Sequence, residues 1–239
     1  MIEYDDKTVA KYRVGPIKKI FMWFARTVCV PPVGFFYLVL NRSRAVGLEN
    51  VPDGPGVVFT SNHISAVDTF MIPYFTVGRF SLTPYFSPAK EELFKVPVVG
   101  YIMPLLGSFP VKRRQRDYSA MRRIAYIAKH YRMMLFPEGT RSKTGELLKG
   151  RAGVGWTIYH SRPKVIPTLL INTETYFLHG PARRWFCNPY TICFGPELDL
   201  SRFYEMEDNK ETSQAIANEI MKTIGEMKKK YKDLYVRAP

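Results

Sequence analysis

Apolar and polar positions change rhythm several times along the chain. Residues 20–40, IFMWFARTVCVPPVGFFYLVL, are apolar over roughly 21 positions with a single charge, Arg26. About 20 apolar residues suffice to cross a bilayer as one helix. Pro31 and Pro32 stand in the middle of this stretch. Two adjacent prolines remove two backbone donors, so the pattern predicts two short apolar half-helices with a turn between them. Beyond Arg44 the rhythm becomes that of alternating strands and helices. Short apolar runs predict strands over 57–60, 84–87, 107–111, 133–136, 165–171 and 190–194, and helical spacing predicts helices over 66–75, 118–130 and 152–160, with another starting near Lys90. Ile216, Ile220, Ile224, Met227, Tyr231 and Leu234 recur at three- and four-residue spacing. That predicts an amphipathic helix over 210–236 with a lysine-rich outer face. The alternation implies an α/β fold, a mixed and largely parallel sheet covered by helices. The expected organisation is a membrane-associated two-helix segment over 1–44 and an α/β domain over 45–239.

Composition adds a sign to this picture. The formal net charge is +14 and the pI about 9.7. Such a field attracts nucleic acid, anionic lipid or phosphorylated substrates. Basic residues interleaved with aromatics, or a known nucleic-acid module, are not found, so nucleic acid is not an expected partner. Lys18 and Lys19 precede the apolar stretch, and Arg42 and Arg44 follow it. Basic flanks at both ends give no orientation across a bilayer. They fit a hairpin dipping into one leaflet from the cytoplasmic face. The cysteines, Cys29, Cys187 and Cys193, are odd in number and lack metal-ligand spacing. They predict neither a disulfide framework nor a zinc site, and a reducing compartment. No compact signal peptide with a small-residue cleavage site is evident.

Candidate chemistry begins at residues 60–70, TSNHISAVDTF. His63 and Asp68 are five apart, about 140° around a regular helix, and would not meet there. They meet if His63 lies in a strand-to-helix turn and Asp68 in the first helical turn, with Ser61 and Asn62 as turn and cap residues. The carboxylate then fixes the imidazole tautomer and leaves the other nitrogen as a base. No G-x-S-x-G elbow or activated cysteine supplies a nucleophile, so the hydroxyl to be deprotonated belongs to a substrate. A structural histidine capped by a carboxylate would give the same short pattern. Phe136 to Arg141 reads FPEGTR, in which Arg141 can bind a phosphate bidentately and Thr140 can donate a hydroxyl and an amide. Glu138 can hold Arg141 or accept a substrate hydroxyl. Gly107 to Arg116 reads GSFPVKRRQR, offering Lys112 and Arg113 to the same phosphate. Val165, Ile166 and Pro167 read as a strand end able to form an apolar wall.

Together these blocks resemble the PlsC-like 1-acylglycerol-3-phosphate acyltransferase family. The order matches: N-H-x-x-x-x-D from Asn62 to Asp68, G-x-F-x-x-x-R from Gly107 to Arg113, F-P-E-G-T-R from Phe136, then V-I-P from Val165. The resemblance implies transfer of a fatty acyl group from acyl-coenzyme A or acyl carrier protein to the sn-2 hydroxyl of lysophosphatidic acid, giving phosphatidic acid. It implies His63 as base, Asp68 as its partner, and Glu138, Gly139, Thr140 and Arg141 as acceptor-binding residues. Arg113, with Lys112 beside it, assists at the phosphate. Val165, Ile166 and Pro167 shape the acyl site. It also implies a membrane-associated N-terminal motif. The thioester is a co-substrate, and no cofactor or metal is expected. Where the family carries Lys-x-Gly after FPEGTR, this chain has Arg151-Ala152-Gly153, with Lys149 as a second basic residue nearby. Two rivals remain at this level: a related acyltransferase with another acceptor, such as glycerol 3-phosphate, and a non-catalytic basic peripheral membrane protein.

Overall fold

The computed structural model describes residues 13–77, 83–111, 118–173 and 187–235. The apolar stretch forms one helix, α1, running as an α-helix over Pro16–Gly34 and widening to a π-helix over Phe35–Leu40. This corrects the expected turn. Each proline forfeits one intrahelical bond, but its fixed φ is helical. The ladder resumes at once, with the Phe35 N–H directed to the carbonyls of Pro31 and Pro32. The first twelve residues of the proposed two-helix segment lie outside the described residues.

The following elements are β1 (Arg44–Val46), β2 (Val57–Ser61), α2 (Asp68–Thr76), β3 (Tyr85–Lys90), α3 (Val99–Leu105), β4 (Ser108–Val111) and α4 (Tyr118–His130). They continue as β5 (Arg132–Leu135), α5 (Ala152–Ser161), β6 (Lys164–Ile171), β7 (Thr191–Phe194), α6 (Ser201–Tyr204) and α7 (Lys210–Lys230). The expected α/β class and largely parallel sheet hold. Seven strands stand in the order β1-β7-β6-β2-β5-β3-β4, and β6–β7 is the antiparallel pair among them. β1, α3 and the four-residue α6 were not anticipated. β1 has three residues, too few to show a period, and α3 lies in a run of valine, proline and glycine that reads as a connection. α7 stops at Lys230, six residues short of expectation, because Tyr231 and the 3-10 turn Lys232–Leu234 close the helix end. Its start is capped by Asn209, whose side chain accepts from the Thr212 N–H at 2.8 Å.

Alternation along the central strands divides the core in two. Val58, Met133, Val165 and Leu169 pack with Ile127 of α4, Ile158 of α5 and the Ile216, Ile220, Ile224 stripe of α7. Val57, Phe59, Met134, Ile166 and Leu170 pack on the other face with Tyr37 of α1 and Met71 and Ile72 of α2. The apolar helix therefore takes part in the core through Tyr37 while Ile17, Ile20, Phe21, Phe24, Val28, Phe35, Leu38 and Val39 remain exposed. α5 and α7 approach closely enough that any side chain on Gly155 would run into the Ser213 carbonyl. β2 and β5 are adjacent and parallel, with Thr60 opposite Leu135. Their C-terminal ends open together, the usual place for ligands on a parallel sheet.

Candidate active site

β2 ends at Ser61, and the next six residues turn the chain into α2. Asn62 fixes the start of that turn. Its side-chain amide donates to the Leu170 carbonyl at 3.0 Å and its oxygen accepts the Leu170 N–H at 2.8 Å, so it is clamped to β6. This replaces the expected cap role: the N-cap of α2 is Val67, and no side chain caps it. The Tyr37 hydroxyl donates to the Val67 carbonyl at 2.6 Å, tying α1 to the start of α2. Asp68 then occupies the first turn of α2, where the helix dipole favours a carboxylate.

His63 and Asp68 meet as the turn requires. His63 Nδ1 lies 3.0 Å from Asp68 Oδ2. The same oxygen accepts the N–H groups of Ile64 and Ser65, each at 2.7 Å. Asp68 is fully buried, and three donors on one oxygen hold it in a single rotamer. An ionised carboxylate only accepts, so Nδ1 carries the proton and Nε2 is left with its lone pair.

The FPEGTR segment leaves β5 and closes over this pair. The Phe136 ring stacks on the His63 imidazole, with centroids 3.9 Å apart and planes 14° from parallel. At the far end, the Ser142 N–H donates to the His63 carbonyl at 2.8 Å. The His63 residue is thus held on three sides: by Asp68 at Nδ1, by Phe136 on a ring face and by Ser142 at its backbone. Gly139 adopts a left-handed φ of +66°, and a Cβ there would press on the Arg151 side chain 2.9 Å away. Arg151 returns to the loop twice. Its Nε donates to the Glu138 carbonyl at 3.0 Å and its backbone N–H to the Pro137 carbonyl at 2.9 Å. Of the two basic residues after FPEGTR, Arg151 is the one brought to it.

Glu138 is 2% exposed. Burial pushes its carboxyl up to about 7, against the pull of the nearby amides of His63 and Leu148 and of Lys228, with Asp68 adding to the rise. Those amides flank the carboxyl without forming well-aligned hydrogen bonds, since neither oxygen has such a partner among the described residues. Glu138 faces inward behind His63, while Gly139 and Arg141 are exposed on the outer side of the loop and Thr140 is half-buried. Lys112 and Arg113 lie outside the described residues. Val165, Ile166 and Pro167 stand inside β6, paired with Val58, Phe59 and Thr60. They are the second to fourth residues of that strand, so the expected strand end is its N-terminal one. Strand alternation sends Val165 to the α7 side and Ile166 to the α1–α2 side, so the two do not form one wall.

Sequence reasoning missed Phe136, Ser142 and Tyr37. Phe136 opens the FPEGTR block and Ser142 follows it, but no local signal ties either to His63, far back in the sequence. Tyr37 gave none, because its partner is 30 residues away.

The profile of the Acyltransferase family matches residues 42–171, more than half of the chain. The chain belongs to the Acyltransferase family. Among named relatives, it is 26% identical over 185 residues to a 1-acyl-sn-glycerol-3-phosphate acyltransferase of Borreliella burgdorferi, covering 76% of this chain and 71% of that protein. It is 32% identical over 165 residues to the Pseudomonas aeruginosa protein of the same name, covering 66% of this chain and 59% of that one. A chloroplastic relative from Brassica napus is 33% identical, with 64% of this chain matched to 46% of its own length. The chain thus spans about half to 70% of the length of these Acyltransferase relatives. The crystal structure of the 1-acyl-sn-glycerophosphate (LPA) acyltransferase from Thermotoga maritima superposes with a TM-score of 0.58 at 21% identity, covering 89% of this chain and 95% of that one. That likeness bears on the fold.

Proposed function

We propose that this chain is a 1-acyl-sn-glycerol-3-phosphate acyltransferase. It moves a fatty acyl group from a thioester, acyl-coenzyme A or acyl carrier protein, to the sn-2 hydroxyl of lysophosphatidic acid and forms phosphatidic acid. The observation that carries this reading is the union of two distant segments at the ends of β2 and β5. His63, oriented by Asp68 at 3.0 Å, is held under Phe136 and bonded to Ser142, so the FPEGTR loop is fixed beside the base.

In this mechanism His63 Nε2 takes the proton from the acceptor hydroxyl as its oxygen attacks the thioester carbonyl. Asp68 stabilises the imidazolium through Nδ1–H. The tetrahedral intermediate collapses, the C–S bond breaks, and the imidazolium returns its proton to the departing thiolate. No covalent acyl-enzyme forms. The exposed Arg141, with Thr140 and Gly139, holds the acceptor's phosphate outside the loop, and Arg113 and Lys112 assist there. Glu138 keeps the inner side of the loop. Of the Val-Ile-Pro block, Ile166 backs the α1–α2 face of the sheet from within the core, and the block shapes the acyl site through this packing.

α1 is long and apolar enough to cross a membrane, and most of it is exposed. Residues 1–44 serve as the membrane anchor, and the enzyme works at the cytoplasmic face of the cell membrane on an acceptor lying in the leaflet. A positive field suits the anionic headgroup, the leaflet and either donor. The test is an acceptor panel with labelled acyl-coenzyme A. Lysophosphatidic acid is expected to be acylated far faster than glycerol 3-phosphate or lysophosphatidylcholine. Preference for either of the others would move the chain to another acceptor class.

A further inference from the structure

A second exposed apolar segment remains outside the anchor and the site. Residues 93–106 read LFKVPVVGYIMPLL, with one charge, Lys95. No residue of α3, and none of the preceding 3-10 turn Glu91–Lys95, is buried. Tyr101 is 82% exposed and Val98 65%, and Leu93, Val96, Ile102 and Leu105 are exposed as well. A chain in water rarely shows so many large apolar side chains side by side. The segment is also well shaped. Val98, a β-branched residue, holds a positive φ of 66°, a conformation such residues adopt only under constraint. Any side chain on Gly100 would run into the Phe94 carbonyl, so the turn packs tightly on itself while its side chains point out.

The segment is continuous with α1. α1 packs against α3 and against α2. Met22 of α1 lies beside Gly107, just past α3. Phe70, in the first turn of α2, is exposed as well. On or beside these elements Lys18, Lys90 and Lys95 are exposed, with Glu91 and Glu92 as opposing charges and Lys90 paired to Glu92 at 3.2 Å. Seven helical residues reach only about 10 Å, a third of the hydrocarbon thickness. The segment cannot cross a bilayer, but it can lie within one leaflet.

We propose that residues 93–106 are a second membrane-contacting element, inserting beside α1 into the headgroup and upper acyl region of a phospholipid leaflet. The two elements together form one apolar foot, which fixes the orientation of the sheet on the membrane and keeps the start of α2 close to the lipid surface. This goes beyond an N-terminal anchor and does not depend on the acyl-transfer reading, since vesicle binding needs no substrate.

The experiment is flotation of the full chain with vesicles of phosphatidylcholine and phosphatidylglycerol at 3:1, comparing wild type with the double variant Tyr101→Asp/Ile102→Asp. Partitioning of the double variant is expected to fall at least about tenfold, with its thermal midpoint and far-ultraviolet circular dichroism kept. Tyr101→Trp gives a second readout: the added emission is expected to be quenched by lipids brominated near the headgroup end of the acyl chain. If the double variant does not fold, this quenching decides alone. Unchanged partitioning in a folded double variant, or absent quenching, overturns the proposal. So does conversion of a detergent-free dimer to a monomer with vesicle binding intact, which would make the face an interface between copies of this chain.

Discussion

Asp68→Asn separates the catalytic use of the carboxylate from its structural use. Oδ2 accepts from His63 Nδ1 at 3.0 Å and from the Ile64 and Ser65 amides at 2.7 Å. Asparagine is isosteric and its oxygen still serves the two amides, so the turn should persist. It also removes a fully buried charge, which offsets the weaker hydrogen bonds. The expected change in folding stability is within about 1 kcal/mol, read from urea unfolding. The chemistry should respond differently. The variant loses the negative charge beside the imidazolium and one charge-assisted hydrogen bond, and its amide can hold the imidazole in the wrong tautomer. With about 3–5 kcal/mol of transition-state stabilisation removed, kcat falls about 10²–10⁴-fold. The assay follows thiol release from acyl-coenzyme A with lysophosphatidic acid in mixed micelles. KM for the acceptor should move less than about threefold, because Asp68 does not touch it. A variant that stays folded and keeps kcat within threefold of wild type would refute the reasoning and leave Asp68 as a turn-former.

Four further predictions rest on separate observations. Phe136→Leu removes the ring stacked 3.9 Å from His63; kcat should fall about tenfold or more with stability down by roughly 1–2 kcal/mol, measured together on one preparation. Asn62→Ala deletes both bonds to Leu170 and leaves buried backbone groups unpaired, so urea unfolding should report a loss of about 2–4 kcal/mol. Glu138, pushed up to about 7 in the folded chain from 4.5, holds a proton there that the unfolded chain has released; its contribution is present below about 4.5 and lost as pH rises through about 7. Glu138→Gln should therefore gain stability relative to wild type across that window, by at most about 3 kcal/mol, and a parallel pH dependence of the two would contradict this. Gly155→Ala places a methyl against the Ser213 carbonyl between α5 and α7, and should cost several kcal/mol in thermal unfolding with little change in kcat of the remaining folded enzyme.

Much of the fold was legible because burial imposes regular periods. The α7 stripe and the apolar strands β2, β5 and β6 each show one. α1 was not, because two prolines argue locally for a break, while a long helix loses only two bonds and continues through them. Val165 and Ile166 look like one apolar patch in sequence, yet a two-residue period puts them on opposite faces of the sheet. The His63–Asp68 contact was legible as a geometric requirement, a non-helical turn, and that turn is present. What holds it was not. Asn62 reaches Leu170 and Phe136 covers His63 through strand neighbours, and strand order is not written in any local pattern. Nor was the burial of Glu138 on the inner side of the loop, with Arg141 exposed on the outer side, readable from the FPEGTR string.

The central claim is that His63 removes the proton of an acceptor hydroxyl. Its most direct measurement is the single-turnover rate of phosphatidic acid formation by His63→Ala and wild type, on vesicles containing lysophosphatidic acid and labelled acyl-coenzyme A. The account predicts equal vesicle binding and a rate about 10³-fold or more below wild type, with no label retained on either protein. A variant forming phosphatidic acid at the wild-type rate, or label trapped on the protein as an acyl-enzyme, would contradict it.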